Sequence, residues 1–421
     1  MDFQQILSIL IFLVVMAAII SEKVNRTVAA LAGAILMIVS NILTVDKGLE
    51  HVDFNTIGVL IGMMLFVSVV KNSGLFEYIA IWTAKKTKGD PWKIMVYFMI
   101  VTALLSAVLD NVTTVLLIGP MTIVVTQLLG VNPIPFLMTQ ILASNIGGTS
   151  TLIGDPPNIM IGSAAGLSFM DFVIHLGPVV VVILLVTILA FRFIYGKNMS
   201  VSDEARESIM KLDEKKSIQD KSLLKKSIVL IFLTLFGFVF HSSLGIESCV
   251  VALTSAVIML FIGKQDIDEI FASIEWSTIF FFVGLFIVVG GLVESGVISM
   301  LAELIIGATE GHMVATMMII LWLSAIISSF LDNIPFVATL IPLILTMQSQ
   351  GIDVTPLWWA TSLGACLGGN GSLIGASANV VLAGVSAKHG HPITFKYFLK
   401  IGFPLMIVSI LISTAYLLIV F

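Results

Sequence analysis

Gly147-Gly148-Thr149-Ser150-Thr151-Leu152-Ile153-Gly154 recurs 221 positions later as Gly368-Gly369-Asn370-Gly371-Ser372-Leu373-Ile374-Gly375, and Asn158 recurs as Asn379 in the same register. Working outward at an offset of 222, Asp110-Asn111 recurs as Asp332-Asn333, Pro120 as Pro342 and Ser73-Gly74 as Ser295-Gly296. The match continues toward the N-terminus, where Asp53-Phe54-Asn55-Thr56-Ile57 is echoed by Glu275-Trp276-Ser277-Thr278-Ile279, and Ala30-Leu31 with Ala34 by Ala252-Leu253 with Ala256. Self-similarity held in one register over most of a chain marks a duplicated unit. The sequence therefore reads as two homologous halves, residues 1–196 and 227–421, joined by a polar linker, 197–226.

Composition says what kind of unit was duplicated. Of 421 residues 58% are apolar and 11% charged, against roughly a quarter charged in a soluble domain. Apolar runs of about 15 to 25 residues recur along the chain, the reach needed to cross a hydrocarbon core of about 30 Å. Runs such as 57–70 and 250–262 are apolar on every face, without the period-two alternation of a membrane barrel. The fold class is an all-α polytopic membrane protein. A soluble enzyme, a disulfide scaffold and a nucleic-acid binder are excluded. Cys249 and Cys366 fit no zinc spacing and read as small packing residues, so no metal site is expected. Residues 1–5 lack a positive n-region, and the first apolar stretch is expected to be a retained helix.

Within the first half the pattern predicts spans near 3–20, 27–43, 55–71, 136–165 and 172–195, with a short amphipathic segment near 75–86. Residues 92–129 hold two apolar arms of about 15 residues either side of Asp110-Asn111-Val112-Thr113-Thr114, each short for a crossing, which predicts a re-entrant hairpin. The second half repeats this with spans near 228–244, 247–263, 276–294, 355–384 and 398–420 and a hairpin near 312–347. Five crossings per half place both termini outside and the linker in the cytoplasm. Twenty of the 21 Lys and Arg residues then lie inside or at that edge and only Lys47 outside, in accord with the positive-inside rule. An odd number of crossings also makes the second half inverted relative to the first, an architecture of secondary transporters in a cell inner or plasma membrane.

Irregular backbone at membrane depth is tolerated only where it is buried in protein or lines an aqueous cavity. Four such places are predicted: the hairpin tips at Asp110 and Asp332, and two interrupted spans. One interruption runs from Ser144-Asn145-Ile146-Gly147-Gly148-Thr149-Ser150 to Gly154-Asp155-Pro156-Pro157-Asn158; the other runs from Gly368-Gly369-Asn370-Gly371-Ser372 to Gly375-Ala376-Ser377-Ala378-Asn379. Gly lets backbone bend and approach a ligand, and Pro cannot donate to a continuing helical ladder. The stubs of a broken helix offer free N–H and C=O groups, and paired breaks in two halves point to a midplane substrate site. The candidate binding residues are thus Asp110, Asn111, Thr113, Thr114, Asn145, Gly147, Gly148, Thr149, Ser150, Asp155, Asn158, Asp332, Asn333, Gly369, Asn370, Ser372 and Asn379. An acid in the membrane is costly unless it binds a cation or proton, so Asp110, Asp155 and Asp332 are the candidate proton carriers. Capping of the returning hairpin arm is the alternative role for Asp110 and Asp332. None of the four motifs contains Lys, Arg or His, so an anion bound there is expected to rely on helix dipoles and hydroxyls.

At these residues the chain resembles the ion transporter superfamily, specifically the arsenite-efflux permeases, related sodium/proton antiporters and the melanosomal P protein. The carrying motifs are Asp110-Asn111-Val112-Thr113-Thr114, Asn145-Ile146-Gly147-Gly148 through Gly154-Asp155-Pro156-Pro157-Asn158, and Asp332-Asn333. The more distant dicarboxylate/sodium symporters carry Ser-Asn-Thr at the hairpin tips, where this chain has Asp before Asn. The resemblance implies scaffold and transport domains in an inverted repeat, elevator-like motion and a homodimer. Arsenite and antimonite are mostly uncharged trihydroxides near neutral pH, and a polar pocket of Asn, Ser and Thr without an Arg clamp suits them. The resulting expectation is efflux of that small inorganic substrate against inward protons. A sodium/proton antiporter is the close alternative and a sodium-coupled anion carrier the third. No cofactor beyond a proton or sodium gradient is expected. With no Gly-x-x-x-x-Gly-Lys-Ser/Thr loop in the chain, ATP coupling would need a separate ATPase subunit. Enzymatic hydrolysis would need a base that these motifs lack.

Overall fold

The computed structural model describes every residue except 22, 197, 198, 200, 310 and 311. Among the described residues the first half builds ten α-helices: α1 (Phe3–Ile20), α2 (Arg26–Val39), α3 (Val45–Glu50), α4 (Phe54–Lys71), α5 (Leu75–Lys86), α6 (Pro91–Ser106), α7 (Asn111–Leu128), α8 (Ile134–Gly148), α9 (Pro156–Ala165) and α10 (Phe169–Tyr195). After α11 (Asp203–Met210) the same order returns as α12 (Lys221–Phe240), α13 (Ser248–Gly263), α14 (Ile267–Ala272), α15 (Trp276–Glu294), α16 (Val297–Thr309), α17 (Met313–Phe330), α18 (Asn333–Ser349), α19 (Thr355–Gly368), α20 (Ser377–Lys388) and α21 (Phe395–Val420). No strand occurs among the described residues. The amphipathic segment at 75–86 coincides with α5, and the two expected breaks fall between α8 and α9 and between α19 and α20.

Local chemistry explains where these helices start. Asp2 and Gln5 form a capping box on α1, Ser168 and Asp171 another on α10, and Asp90 caps α6 with Pro91 at its first position. Gly74 and Gly296, repeat partners, turn the chain at φ 79° and 78°, a left-handed conformation that favours glycine. The linker departs from a plain polar connection. Its last residues open α12 at Lys221, and α11 seats the buried Ile209 among Ala80, Ala84, Phe98 and Leu129.

Two lengths differ from the sequence reading. Among the described residues eight helices are long and apolar enough to cross a membrane: α1, α4, α7, α10, α12, α15, α17 and α21. One arm of each hairpin, α7 and α17, has 18 residues, as many as α1 and α4, while the other arms, α6 and α18, have 16 and 17. Asp110 and Asp332 cap α7 and α18, so the tip is four residues, 107–110, in the first hairpin and two, Leu331 and Asp332, in the second. Conversely α2 and α13, with 14 and 16 residues, fall short of that length.

Packing pairs each half with the other by exchange. α4 lies on α13 as α2 lies on α15, and α7 on α20 as α18 on α9. Small residues set the first contact: a Cβ on Gly62 would sit 2.6 Å from the Ala252 backbone, and one on its repeat partner Gly284 would sit 2.7 Å from that of Ala30. Close backbone approach of this kind is how membrane helices associate without a hydrophobic drive. Along α2 and α15 the neighbours advance together, Ala30 beside Gly284, Gly33 beside Val288 and Met37 beside Gly291. α15 therefore runs with α2. Its end, at Gly290 and Glu294, meets His51 just before α4 begins.

Candidate substrate and ion site

Six helices begin at one buried cavity of about 30 Å³, lined by Arg26 at the start of α2, Asp110 and Asn111 of α7, Asp155 and Pro156 of α9, Glu275 and Thr278 of α15, Asn333 of α18 and Ser377 of α20, with Leu60 and Met64 of α4. That volume is of the order of one water molecule's share of the liquid. Each helix start carries about half a positive charge. Asp110, Asp155, Glu275 and Asp332 occupy the N-cap positions of four of the six. The site thus sets positive helix ends and one guanidinium against four carboxylates.

The four acids are held differently. Asp110 accepts from the Thr113 backbone N–H at 2.8 Å and from the Thr113 hydroxyl. Asp332 accepts from the Ile334 backbone N–H at 3.2 Å. Capping is therefore realised at both tips. Asp332 also takes Arg26 Nη1 at 3.1 Å and Ser377 Oγ at 2.6 Å. Asp155, 1% exposed, makes no side-chain cap bond; it meets the Cys366 thiol and the long contacts of Asn333 Nδ2, 3.4 Å from each oxygen. Its repeat position is Ala376, so this carboxylate belongs to one half alone. Glu275 accepts from Thr278 Oγ1 at 3.0 Å.

Beneath the cavity an amide relay joins the halves. Asn111 Nδ2 donates to Asn145 Oδ1 at 3.2 Å, and Asn145 Nδ2 donates to Asn370 Oδ1 and Asn379 Oδ1, each at 2.9 Å. On the other side Ser362 Oγ donates to Asn158 Oδ1 at 2.6 Å, and Cys366 Sγ lies 3.5 Å from the same oxygen. Cys366 is the repeat partner of Asn145, so the two contacts correspond.

Of the residues singled out by sequence, Asp110, Asn111, Asp155 and Asn333 line the cavity, and Asp332 borders it through Arg26. Asn145, Asn158, Asn370 and Asn379 form the relay below. Thr149, Ser150 and Ser372 donate to the backbone carbonyls of Asn145, Gly147 and Ser329, fixing the breaks rather than facing the cavity. Thr114 is fully buried on α7. Gly147 presses α8 on α6, where a Cβ would sit 2.2 Å from the Ala103 carbonyl oxygen, while Gly148 and Gly369 face the returning carbonyls of Gly154 and Gly375 at 2.6 and 3.2 Å. Among the described residues no group of three or more His, Cys, Asp or Glu side chains is placed to hold a metal ion.

Three polar cavity residues, Arg26, Glu275 and Thr278, lay outside the motifs read from sequence, and Ser377 lay within the second interruption without being singled out. The expectation that the site lacks an Arg does not hold in three dimensions, because the first residue of α2, Arg26, lines the cavity. Glu275 did carry a signal, as the acidic partner of Asp53 at a helix start.

The profile of the family described as citrate transporter (CitMHS) matches residues 16–364. An uncharacterized transporter of Mycobacterium bovis is 43% identical, aligned over 98% of this chain and 97% of that protein. The 46 kDa membrane protein of Mycobacterium leprae is 41% identical over 98% of each chain. The P protein of Sus scrofa is 31% identical over 95% of this chain but 58% of its own length. In fold the chain matches the crystal structure of the Alcanivorax borkumensis YdaH transporter, with a TM-score of 0.61 and 14% identity over 99% of this chain and 97% of that one.

Proposed function

This chain belongs to the citrate transporter family, and we propose that it works as a proton-coupled secondary transporter in which Asp110, Asp155 and Glu275 take up the coupling protons. The observation that carries the reading is the convergence of six helix starts and four N-cap carboxylates on one buried cavity. A carboxylate in so dry a place is costly to ionise without a partner, which makes it a proton or cation acceptor.

For the cargo, we assign arsenite or antimonite first. Their trihydroxides offer O–H donors, and Asp110, Asp155 and Glu275 offer acceptors. The half-charges of the helix starts, with Arg26, roughly offset the four acids, so an uncharged solute meets no net field. Citrate is the second reading, favoured by the family description and by Arg26. Either solute needs the cavity of about 30 Å³ to widen, a polycarboxylate far more than a trihydroxide, and the polycarboxylate also needs protonation of acids that otherwise repel it. Sodium/proton exchange is the third, since the same carboxylates suit a bare cation.

The course of α15 alongside α2, ending where α4 begins, supports an inverted repeat. With it goes a cytoplasmic linker, a moving domain that carries the hairpins, and a homodimer in a plasma or inner membrane. The deciding experiment uses proteoliposomes under an imposed proton gradient, offered arsenite, antimonite, sodium and citrate in turn. Gradient-driven arsenite or antimonite movement supports the first reading. Movement of citrate or sodium alone overturns it.

A further inference from the structure

We infer that Arg26 determines access to the transport site, closing the inner cavity off from a wide cleft by its pairing with Asp332. The cleft, about 300 Å³, opens beside the connection between α1 and α2, where Val24 and Asn25 form its rim. Arg26 and Ser377 are the two residues that line both the cleft and the cavity. They are bonded to each other, Nη1 to Oγ at 2.6 Å, and both reach Asp332 Oδ2, at 3.1 and 2.6 Å. On its far side the guanidinium donates to Thr278 Oγ1 at 3.3 Å and lies over the Phe281 ring, 5.2 Å from its centroid. One side chain thereby bridges α2, α15, the α17–α18 tip and the start of α20.

Two features make this a closure rather than a passive ion pair. Among the described residues Arg26 and Ser377 alone line both spaces, and Asp332 holds them from the cleft side, so the guanidinium stands between the cleft and Asp155. The pair is also reversible by construction. The Arg26 side chain is 33% exposed and that of Asp332 14%, so water reaches the pair and can solvate both charges when they part. A fully dry pair lacks that exit, because separating it strands a buried charge. In the second half Arg26 is replaced by Ser248 and Ser377 corresponds to Pro156, so the closure is confined to one of the two repeats.

The test reads access directly, without knowledge of the cargo. In full-length protein with Cys249→Ser and Cys366→Ser, Met64→Cys places a thiol at the cavity wall, to be modified by the cation methanethiosulfonate ethylammonium. With the pair intact the reaction should be slow. Asp332→Asn and Arg26→Gln should each speed it by roughly tenfold, the gain expected when a minor open state becomes dominant. Ser377→Ala removes one hydroxyl without a charge and should give a smaller gain in a fully folded protein. Exchanging the charges, Arg26→Asp with Asp332→Arg, should restore slow labelling, a rescue that a merely structural role does not supply. Unchanged labelling in Asp332→Asn and Ser377→Ala, with melting temperature lowered or not, overturns the inference.

Discussion

Asn158 and Asn379 stand at corresponding positions of the two halves, and each side chain ties down the break that precedes its own helix. Asn158 Nδ2 donates to the carbonyls of Thr149 and Thr151 at 3.1 and 2.9 Å, and Asn379 Nδ2 to those of Gly369 and Ser372 at 2.8 and 2.9 Å. Both side chains are fully buried. An interrupted membrane helix leaves carbonyls without partners, and here one amide satisfies them.

The first prediction follows from that geometry. Asn158→Ala or Asn379→Ala leaves two buried carbonyls unpaired, at about 1–3 kcal/mol. Replacement by Asp removes the donor and sets a carboxylate against carbonyl oxygens, so Asp should be worse than Ala at both positions. Melting temperatures in detergent give the ranking, and Asp better tolerated than Ala would contradict the assigned donor role.

Gly147 makes a second case. Its missing Cβ is occupied by the Ala103 carbonyl oxygen, 2.2 Å from where the carbon would sit, and that atom belongs to the α6 backbone. Gly147→Ala must therefore push α8 off α6, and overpacking of this kind costs about 1–3 kcal/mol. Gly369→Ala meets the Ala376 methyl at 3.0 Å and the Gly375 carbonyl at 3.2 Å, contacts that shift by a few tenths of an ångström. Thermal unfolding should place Gly147→Ala clearly below Gly369→Ala.

How far the sequence revealed this arrangement depends on whether a feature repeats. Asp110 with Asp332, and Asn158 with Asn379, were legible because duplication prints each signal twice and apolar flanks make a polar residue conspicuous. Both breaks were legible for the same reason. Arg26 was not, because its partner position is Ser248 and because charge at the edge of an apolar run is ordinarily interfacial. Glycines were ambiguous for a physical reason: bending and close packing call for the same missing Cβ, and only the Ala103 oxygen decides for Gly147. The arms α7 and α17 came out longer than the pattern suggested, because the capping Asp starts the returning helix at the very next residue.

Coupling supplies the third prediction. Asp155 is buried without a cation in contact, whereas Asp332 already carries Arg26. If protons are taken up by carboxylates that lack a counter-ion, Asp155→Asn and Glu275→Gln should lower pH-gradient-driven transport in proteoliposomes by roughly tenfold or more, while exchange of labelled for unlabelled cargo at equal pH persists. Full gradient-driven transport in both variants would remove them as carriers.

The last prediction concerns the linker, which lies outside the apolar spans. Glu214 accepts from Lys85 Nζ at 2.5 Å, and that bond, with the positive charge behind it, holds the Glu214 carboxyl below its usual range. Nearby, Gln219 N–H donates to the Ser73 carbonyl at 3.1 Å, so the segment is pinned to the turn before α5 at a second point. A carboxylate whose folded pKa is depressed adds stability above its unfolded pKa and loses it as pH falls through the lower, folded value. The wild type should hence hold its linker more firmly than Glu214→Gln at neutral pH, and the difference should close below the ordinary carboxylate range. The contribution is small, because solvent and salt still reach this half-buried surface pair. A sensitive readout is the rate of limited proteolysis between α10 and α12. Cleavage should be faster in Glu214→Gln than in wild type at neutral pH and in low salt, with the gap narrowing as salt is raised. Identical cleavage rates in low salt at neutral pH would show that Ile209 and the Gln219 bond alone seat the linker.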